Sequence, residues 1–363
     1  IAVTGTRGKS GVTRLIAAGL RESGIRVLAK TTGSRPALIL PDGSEEEWPR
    51  PGGNPSIREQ ARVIGRAAGT GAGALVAEMM SVGEECLFTE SRRIVRPGIL
   101  ALTNVRLDHL DAMGPCKEDI ARTFSAAFPE NAAVFFPKEE SYPAFTAAAA
   151  RLGSRLEPVE EKITGDTGLP FEEFEANVRL ALAVLESLGV DRGRALRGMG
   201  RSLPDFGSLR IWKAEFGAPL RPAFCASAFA ANDPESSAAA LDRIMNMLPP
   251  GPRPLIGLLC LREDRGDRTL QWIRAAADGF FADFERIAVL GRPARAAARQ
   301  LRRVLGPGIL KFSSFPEPRP EDLMNEIVRP ADREPVIIGF GNIVGPGEKL
   351  IQYWEKVGTP HGR

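Results

Sequence analysis

Residues 1–20 read IAVTGTRGKSGVTRLIAAGL. A short apolar run, Ile1 to Val3, breaks into a turn holding Gly5 and Gly8. Lys9 and Ser10 follow, and a helical pattern then begins. A glycine-rich turn between strand and helix points backbone N–H groups inward, and the helix N-terminus adds partial positive charge. Both favour phosphate. Lys9 can reach terminal phosphates, and the Ser10 hydroxyl can ligate Mg²⁺. Val12, Leu15, Ile16, Gly19 and Leu20 fall on one helical face, so the helix packs on a sheet. Val3 stands where a strict P-loop has its first glycine. Gly5, Thr6, Arg7, Gly8, Lys9 and Ser10 are thus the first candidates for binding ATP.

Outward from this turn, strands and helices alternate. IRVLAKTTG, GALVAEMM (ending at Glu78), GILALTNV (ending at Asn104) and AAVFFP read as strands, with helices such as SIREQARVIGRAAGT between them. This predicts a doubly wound, mostly parallel sheet, in which ligands bind beyond the carboxyl ends of strands. FEANVRLALAVLESLGV reads as a helix, and RGMGRSLPDFGSLRIW as a linker. A second α/β run follows: PAFCASAF, PLIGLLCL, RIAVLG, ILKF and PVIIGFGN. The predicted domains are 1–208 and 209–363.

Two strand ends carry further chemistry. Glu78 is placed for Mg²⁺ beside the nucleotide, or as a solvated strand-end carboxylate. TNVRLDHLDAMG brings Asn104, Asp108, His109 and Asp111 just past a strand. The chain has two histidines. His109, flanked by aspartates, is expected to act as a metal ligand, a proton handler or both.

Composition bounds the rest. The chain has 363 residues, 43% of them hydrophobic, which fits a globular protein of two domains. A net charge of +3 does not argue for nucleic acid. Cys86, Cys116, Cys225 and Cys260 are far apart, make no metal-like pair, and fit reduced thiols in a cytosolic setting. No apolar run spans a bilayer and no signal peptide is visible. Because Ile1 already lies inside the first strand, an upstream segment, with room for a membrane anchor, is expected to be missing from the chain.

The order VTGTRGKS, strand ending in Glu, NVRLDHLDAMG resembles the Mur ligase superfamily of ATP-dependent amide-forming enzymes. Within it, the chain looks most like the ligase subunit of the bacterial poly-γ-glutamate capsule synthases. RGKSGVTRLIA, KTTGS, the turn Gly52-Gly53-Asn54 before REQ, DHLDAMGP, LPDFGSLRIW, FAANDPES, LREDRGDR and GFGNIVGPG carry that likeness. The resemblance implies a P-loop ATPase domain followed by a Rossmann-like C-terminal α/β domain. It implies that ATP phosphorylates a carboxylate and that an amine displaces the phosphate to form an amide. Lys9 and the turn would hold the β- and γ-phosphates, and Ser10 and Glu78 one Mg²⁺. His109 would serve a second metal or orient substrate, and Asp108 and Asp111 would hold the loop or support the metal site. Thr31 and Thr32 would add oxygens near the metals, or are simply turn residues. Asn177 matches a helix contacting adenine, Arg210 an arginine reaching the γ-phosphate, and Asn232 and Asp233 a nucleotide-contacting turn. Implied partners are glutamate, an acidic poly-γ-glutamate acceptor and membrane-protein subunits of a capsule complex, with a homo-oligomer compatible. The implied location is cytoplasmic, at the inner face of the membrane.

Three departures stand out. Arg122, Thr123 and Phe124 occupy the region where many relatives carry a carbamylated lysine, Gly11 replaces a common second hydroxyl, and Ser227 replaces a more polar or acidic group. A folylpolyglutamate-type ligase and a non-ligase P-loop ATPase or switch are the alternatives. The first lacks any sign of a pteridine pocket, and NVRLD lacks the lysine of a guanine-reading switch. Arg262, Arg265 and Arg268 crowd one loop with Asp264 and Asp267 between them. They are expected either to grip an acidic chain or to pair among themselves.

Overall fold

The computed structural model describes residues 1–33, 35–50, 55–160, 169, 173–305, 311–329 and 333–361. Two compact units divide the chain, Ile1–Phe206 and Gly207–Arg363. The Gly52-Gly53-Asn54 turn, Ser34 of KTTGS, and Ile309 and Leu310 of ILKF lie outside the described residues.

In the first unit the strands are β1 (Ala2–Thr4), β2 (Val27–Lys30), β3 (Ala37–Ile39), β4 (Glu45–Glu47), β5 (Ala74–Glu78), β6 (Ile99–Leu102), β7 (Ala133–Pro137) and β8 (Arg155–Val159). They form one sheet in the order β4-β3-β2-β5-β1-β6-β7-β8. From β2 through β8 neighbouring strands pair in parallel. The inner strands read as short continuous apolar runs because both faces are covered. The hairpin β3–β4 is antiparallel and extends one edge. Sequence reading misses it, because the glutamates of β4 carry no apolar alternation; all three are exposed and keep that edge from pairing further.

The helix Lys9–Glu22 lies between the sheet and a second layer made by the helices Glu175–Ser187 and Arg192–Met199. It is buried almost all round, from Val12 through Leu20. The linker read from sequence is too long at both ends. Residues 197–199 finish a helix, and Arg210 already begins the next strand.

The second unit holds β9 (Arg210–Phe216), β10 (Arg221–Ser227), β11 (Leu255–Cys260), β12 (Phe284–Leu290), β13 (Lys311–Phe315), β14 (Val336–Phe340) and β15 (Thr359–His361). Their order is β13-β12-β11-β14-β10-β9-β15. The five strands from β13 to β10 are parallel, and β9 and β15 add an antiparallel edge. The core is aromatic, with Phe281 and Phe340 each in ring contact with both Trp272 and Phe284. Among the described residues no helix is long and apolar enough to cross a membrane.

The helices Lys9–Glu22 and Arg192–Met199 touch at Gly198. A Cβ there would stand 2.6 Å from Ala18 O and 2.8 Å from the Glu22 Cβ. Gly198→Ala is therefore expected to cost about 1–3 kcal/mol by overpacking. Calorimetry should show a lower apparent Tm, and an unchanged Tm would mean that this helix pair spreads freely.

Candidate nucleotide and metal site

Strand order decides which residues can meet. β1 lies between β5 and β6, so the turn leaving β1 is flanked by the residues ending β5 and following β6. The chain runs from β1 one way to β2 and β5, then the other way to β6, β7 and β8. The divergence at β1 is a topological switch point, where such sheets bind ligands.

Gly5 and Gly8 both have positive φ, 121° and 78°. A Cβ on Gly5 would fall 2.2 Å from Thr103 Oγ1, and one on Gly8 would fall 2.6 Å from Asn177 Oδ1. The turn is thus pressed between the segment after β6 and the helix Glu175–Ser187. Lys9 Nζ donates to Gly5 O at 2.8 Å and Thr6 O at 3.2 Å, lying back across its own turn. Burial lowers the Lys9 pKa, and the nearby Glu78 carboxylate opposes that shift.

Not every amide of the turn faces the same way. Thr6 N donates to Asn104 O at 3.0 Å, and Arg7 N to Asn104 Oδ1 at 3.0 Å. Asn104 Nδ2 donates back to Arg7 O at 3.2 Å. Asn104 thereby fixes the turn with its backbone and its side chain. This divides the set of amides that the sequence assigns to phosphate. Those of Thr6 and Arg7 are committed to Asn104, and the first-turn amides of the helix, with no intrahelical acceptor, are the ones suited to an anion.

Glu78 ends β5, is 2% exposed, and accepts Ser10 Oγ–H at 2.7 Å on Oε2. The same oxygen accepts Thr32 N–H at 2.7 Å. Ser10, Glu78 and Thr32 are thus brought together, although Thr32 enters by its backbone. Thr31 faces elsewhere: its Oγ1 accepts from Ala37 N at 3.2 Å and closes the β2–β3 connection, which is the turn role. Two residues that the sequence reading did not assign stand behind Glu78. Gln60 Nε2 donates to Glu78 O at 2.8 Å and to Glu90 Oε1 at 2.7 Å. Glu90, fully buried, accepts the N–H groups of Met80 and Ser81 that follow β5. It sits in a π-helical turn, Thr89–Val95, which turns it inward. Gln60 lies in the REQ stretch, a visible signal; Glu90 gives none, since in sequence it looks like any helical surface acid.

The loop after β6 is held from both sides. Arg7 pairs with Asp108 at 3.1 Å, and Asp108 Oδ1 accepts His109 N at 2.9 Å. Arg106 Nη1 donates to Glu140 at 2.9 Å. His109 adopts φ +50°, a left-handed conformation uncommon for a side-chain-bearing residue. Its Nε2 is 3.8 Å from Asp108 Oδ2. Asp108 therefore anchors the loop to the phosphate turn, whereas Asp111 is exposed on the next helical turn. Asn177 is buried against the turn, and its Nδ2 donates to Glu173 Oε1 at 2.8 Å. Glu173, also unassigned from sequence, explains Gly11: a Cβ there would meet the Glu173 carboxylate at 2.6 Å.

Ser10 Oγ and the Glu78 carboxylate are hard oxygen donors within hydrogen-bond distance of each other, a set that suits Mg²⁺. Among the described residues no three His, Cys, Asp or Glu side chains converge on a metal site. That pattern fits a cation held by one or two protein oxygens together with phosphates.

In the second unit the assigned residues are engaged locally. Asp233 caps the helix Pro234–Met247, accepting Ser236 N and Ser236 Oγ, each at 2.8 Å. Asn232 donates to Phe229 O and Gly341 O and accepts from Arg268 Nη1 at 3.0 Å. Arg268 Nη1 also donates to Asn342 Oδ1 at 2.9 Å. Arg268 is 5% exposed and ties together the segments that follow β10, β11 and β14. Arg262 is bidentate to Asp264 and Arg265 to Asp267. The arginine loop is thus not one substrate-facing row: one member is internal, and two are paired with their own neighbours. Arg210 pairs with Glu355 at 2.5 Å and lies over the Trp212 ring.

Comparison with known proteins agrees with this layout. Residues 3–156 match the Mur ligase middle domain, and residues 214–357 match the poly-gamma-glutamate synthase CapB C-terminal domain. The chain is 30% identical to the capsule biosynthesis protein CapB of Bacillus anthracis over 96% of its own length and 75% of that protein. It is equally similar to the PGA synthase CapB of Bacillus subtilis, covering 88% of that protein. Escherichia coli FolC, solved with DHPP and ADP, has the same fold, with a TM-score of 0.67 at 18% identity over 98% of this chain and 87% of that one.

Removing the Asn104 side chain leaves the Arg7 amide without its acceptor, at a cost of about 1–2 kcal/mol. Asn104→Ala should weaken ADP binding roughly tenfold by calorimetric titration. Unchanged affinity would assign Asn104 to the fold alone.

Proposed function

The chain belongs to the CapB family of Mur-type ligases, and from that premise we propose that it is an ATP-dependent amide ligase that joins glutamate through γ-amide bonds into poly-γ-glutamate. The observation that carries this reading is the Ser10–Glu78 contact beside the Lys9 turn. A carboxylate oxygen attacks the γ-phosphorus of ATP, ADP departs, and an acyl phosphate remains. The amine of the incoming glutamate then attacks the acyl carbon. The C–N bond forms, inorganic phosphate leaves, and the nitrogen loses a proton.

The residues present suit those demands. Lys9 and the first-turn amides bind and neutralise phosphate oxygens, which is the main electrostatic contribution. Ser10 and Glu78 would hold Mg²⁺, which supplies further charge neutralisation at the transferring phosphoryl group. Thr32 N–H and Gln60 orient Glu78. Arg7 and Asp108 hold the phosphate turn against the His109 loop, and His109 is proposed to orient substrate or assist a second metal. Asp111 is exposed beside it and is assigned to the same loop. Asn177, buried against Gly8, is proposed to lie along the nucleotide. Arg210, Asn232 and Asp233 are assigned to nucleotide by the family resemblance. Arg262 and Arg265 could take substrate carboxylates only by exchanging Asp264 and Asp267. Glutamate and an acidic acceptor chain are the proposed substrates, and the resemblance supports membrane-protein partners at the inner face of the membrane.

Lys9→Ala should abolish ATP-dependent phosphate release while circular dichroism remains that of the wild type; wild-type turnover in the folded variant would remove Lys9 from the site. Glu78→Gln should raise the Mg²⁺ concentration needed for half-maximal activity by about tenfold or more, because a coordinating charge is lost. A superimposable Mg²⁺ titration would show that Glu78 is not a ligand.

A further inference from the structure

The helix Ala294–Leu305 is unlike the other described helices of the second unit in its charge, since each of those carries an acidic residue. Between Glu285 and Glu317 the sequence holds no acidic residue. Arg295, Arg299, Arg302 and Arg303 all lie on this helix and all are exposed. At 3.6 residues per turn they fall within roughly 100° of one another, on one face. The opposite face, Ala294, Ala297, Ala298 and Leu301, is buried in the core. Just before the helix, Arg292 is 72% exposed and paired with Glu263 and Glu317. The arginines therefore start at the rim where β11 and β12 end, and run down the side of the unit.

We propose that this face is a binding track for the polycarboxylate chain, distinct from the nucleotide site. The inference rests on the polymer-forming reading above. A γ-linked glutamate repeat has two more backbone carbons than an α-peptide unit, so an extended chain advances about 6 Å per residue and, with successive carboxylates on alternate sides, sets those of one side about 12 Å apart. Along the helix, Arg295 and Arg303 are separated by about 12 Å of rise, so the two meet neighbouring carboxylates of one side of the chain. Guanidinium groups take carboxylates bidentately, and a row of them gains from multivalency what each exposed pair lacks singly.

An anionic bilayer would also attract this charge. Helices that settle on membranes, however, insert a stripe of large apolar side chains. Here the apolar stripe is spent on the core, and the exposed face offers only Ala296 and Val304. A soluble, extended polyanion is the occupant that fits.

The test is fluorescence anisotropy of labelled long-chain poly-γ-glutamate titrated with the full chain, without ATP. The triple variant Arg295→Gln/Arg299→Gln/Arg303→Gln should bind about tenfold more weakly, three exposed charge pairs being lost. The matching Arg→Lys triple variant should retain most of the binding, and both should keep wild-type circular dichroism. High salt should weaken the wild type more than the glutamine variant. Equal polymer affinity in wild type and glutamine variant, or no polymer binding by the wild type, overturns the track even if glutamate-stimulated phosphate release is normal. Loss of binding to phosphatidylglycerol vesicles with polymer binding retained would make the face a membrane surface and likewise overturn it. Absence of glutamate-stimulated phosphate release in a wild type whose polymer binding behaves as expected would instead overturn the ligase reading alone.

Discussion

A carboxylate buried at the end of a central strand must be hydrogen-bonded or neutralised, and the arrangement of the first unit answers that demand at Glu78. One Glu78 oxygen takes the hydroxyl of Ser10, from the helix after β1, and the amide of Thr32, from the end of β2. Gln60, from a third element, holds the Glu78 carbonyl. Ser10 and Gln60 lie 68 and 18 residues before Glu78 in the chain. They meet because β5 is inserted between β2 and β1, so three strand ends and two helix starts share one edge. The desolvation of Glu78 is expensive unless every such contact is made. The parallel strand order and the site are therefore aspects of a single constraint.

Much of this is legible in sequence, for a physical reason. Parallel strands covered on both faces need apolar runs, and the turn leaving the first of them carries glycine, lysine and a hydroxyl, so the fold and the candidate phosphate turn share one signature. The polar residues ending strands could be named for the same reason. What could not be read is which atom of each does the work. Thr32 contributes an amide and Thr31 a hydroxyl to a different turn, a distinction set by the β2–β3 connection, which leads into the hairpin β3–β4 whose outer strand is too charged to recognise. Glu90 and Glu173 were invisible because a lone acid in a helical or loop segment has no pattern, and only the packing turns them inward.

The arginine-rich second unit shows the opposite failure. In sequence, LREDRGDR presents three cations and invites a single role. In the structure the spacing of two residues lets Arg262 and Arg265 close on Asp264 and Asp267, while Arg268, on the first turn of Gly266–Ala277, points into the unit. Short loops favour self-pairing because little chain entropy is lost in closing them. The helix Ala294–Leu305 supplies no acid from its own sequence, so its arginines cannot close on one another's neighbours as those of the loop do. Alternation of sign, more than the number of charges, separates a self-satisfied loop from a surface that can recruit a polyanion.

His109 carries the remaining argument. A left-handed residue with a full side chain is strained, and strain persists only where surrounding contacts over-determine it. Those contacts come from the residues just before it in the chain: Asp108 holds its amide and Arg7, and Arg106 is fixed to Glu140. Burial raises the Glu140 carboxyl above its usual range and Arg106 opposes that shift, so the pair is worth most while Glu140 is ionised. Loop geometry and phosphate-turn geometry are then coupled through Arg7 and Asn104, which touch both. A ligand that repositions the turn would bear on His109 through two rigid links. The His109 loop and the glycine-rich turn therefore form one mechanically connected unit, joined by Arg7 and Asn104.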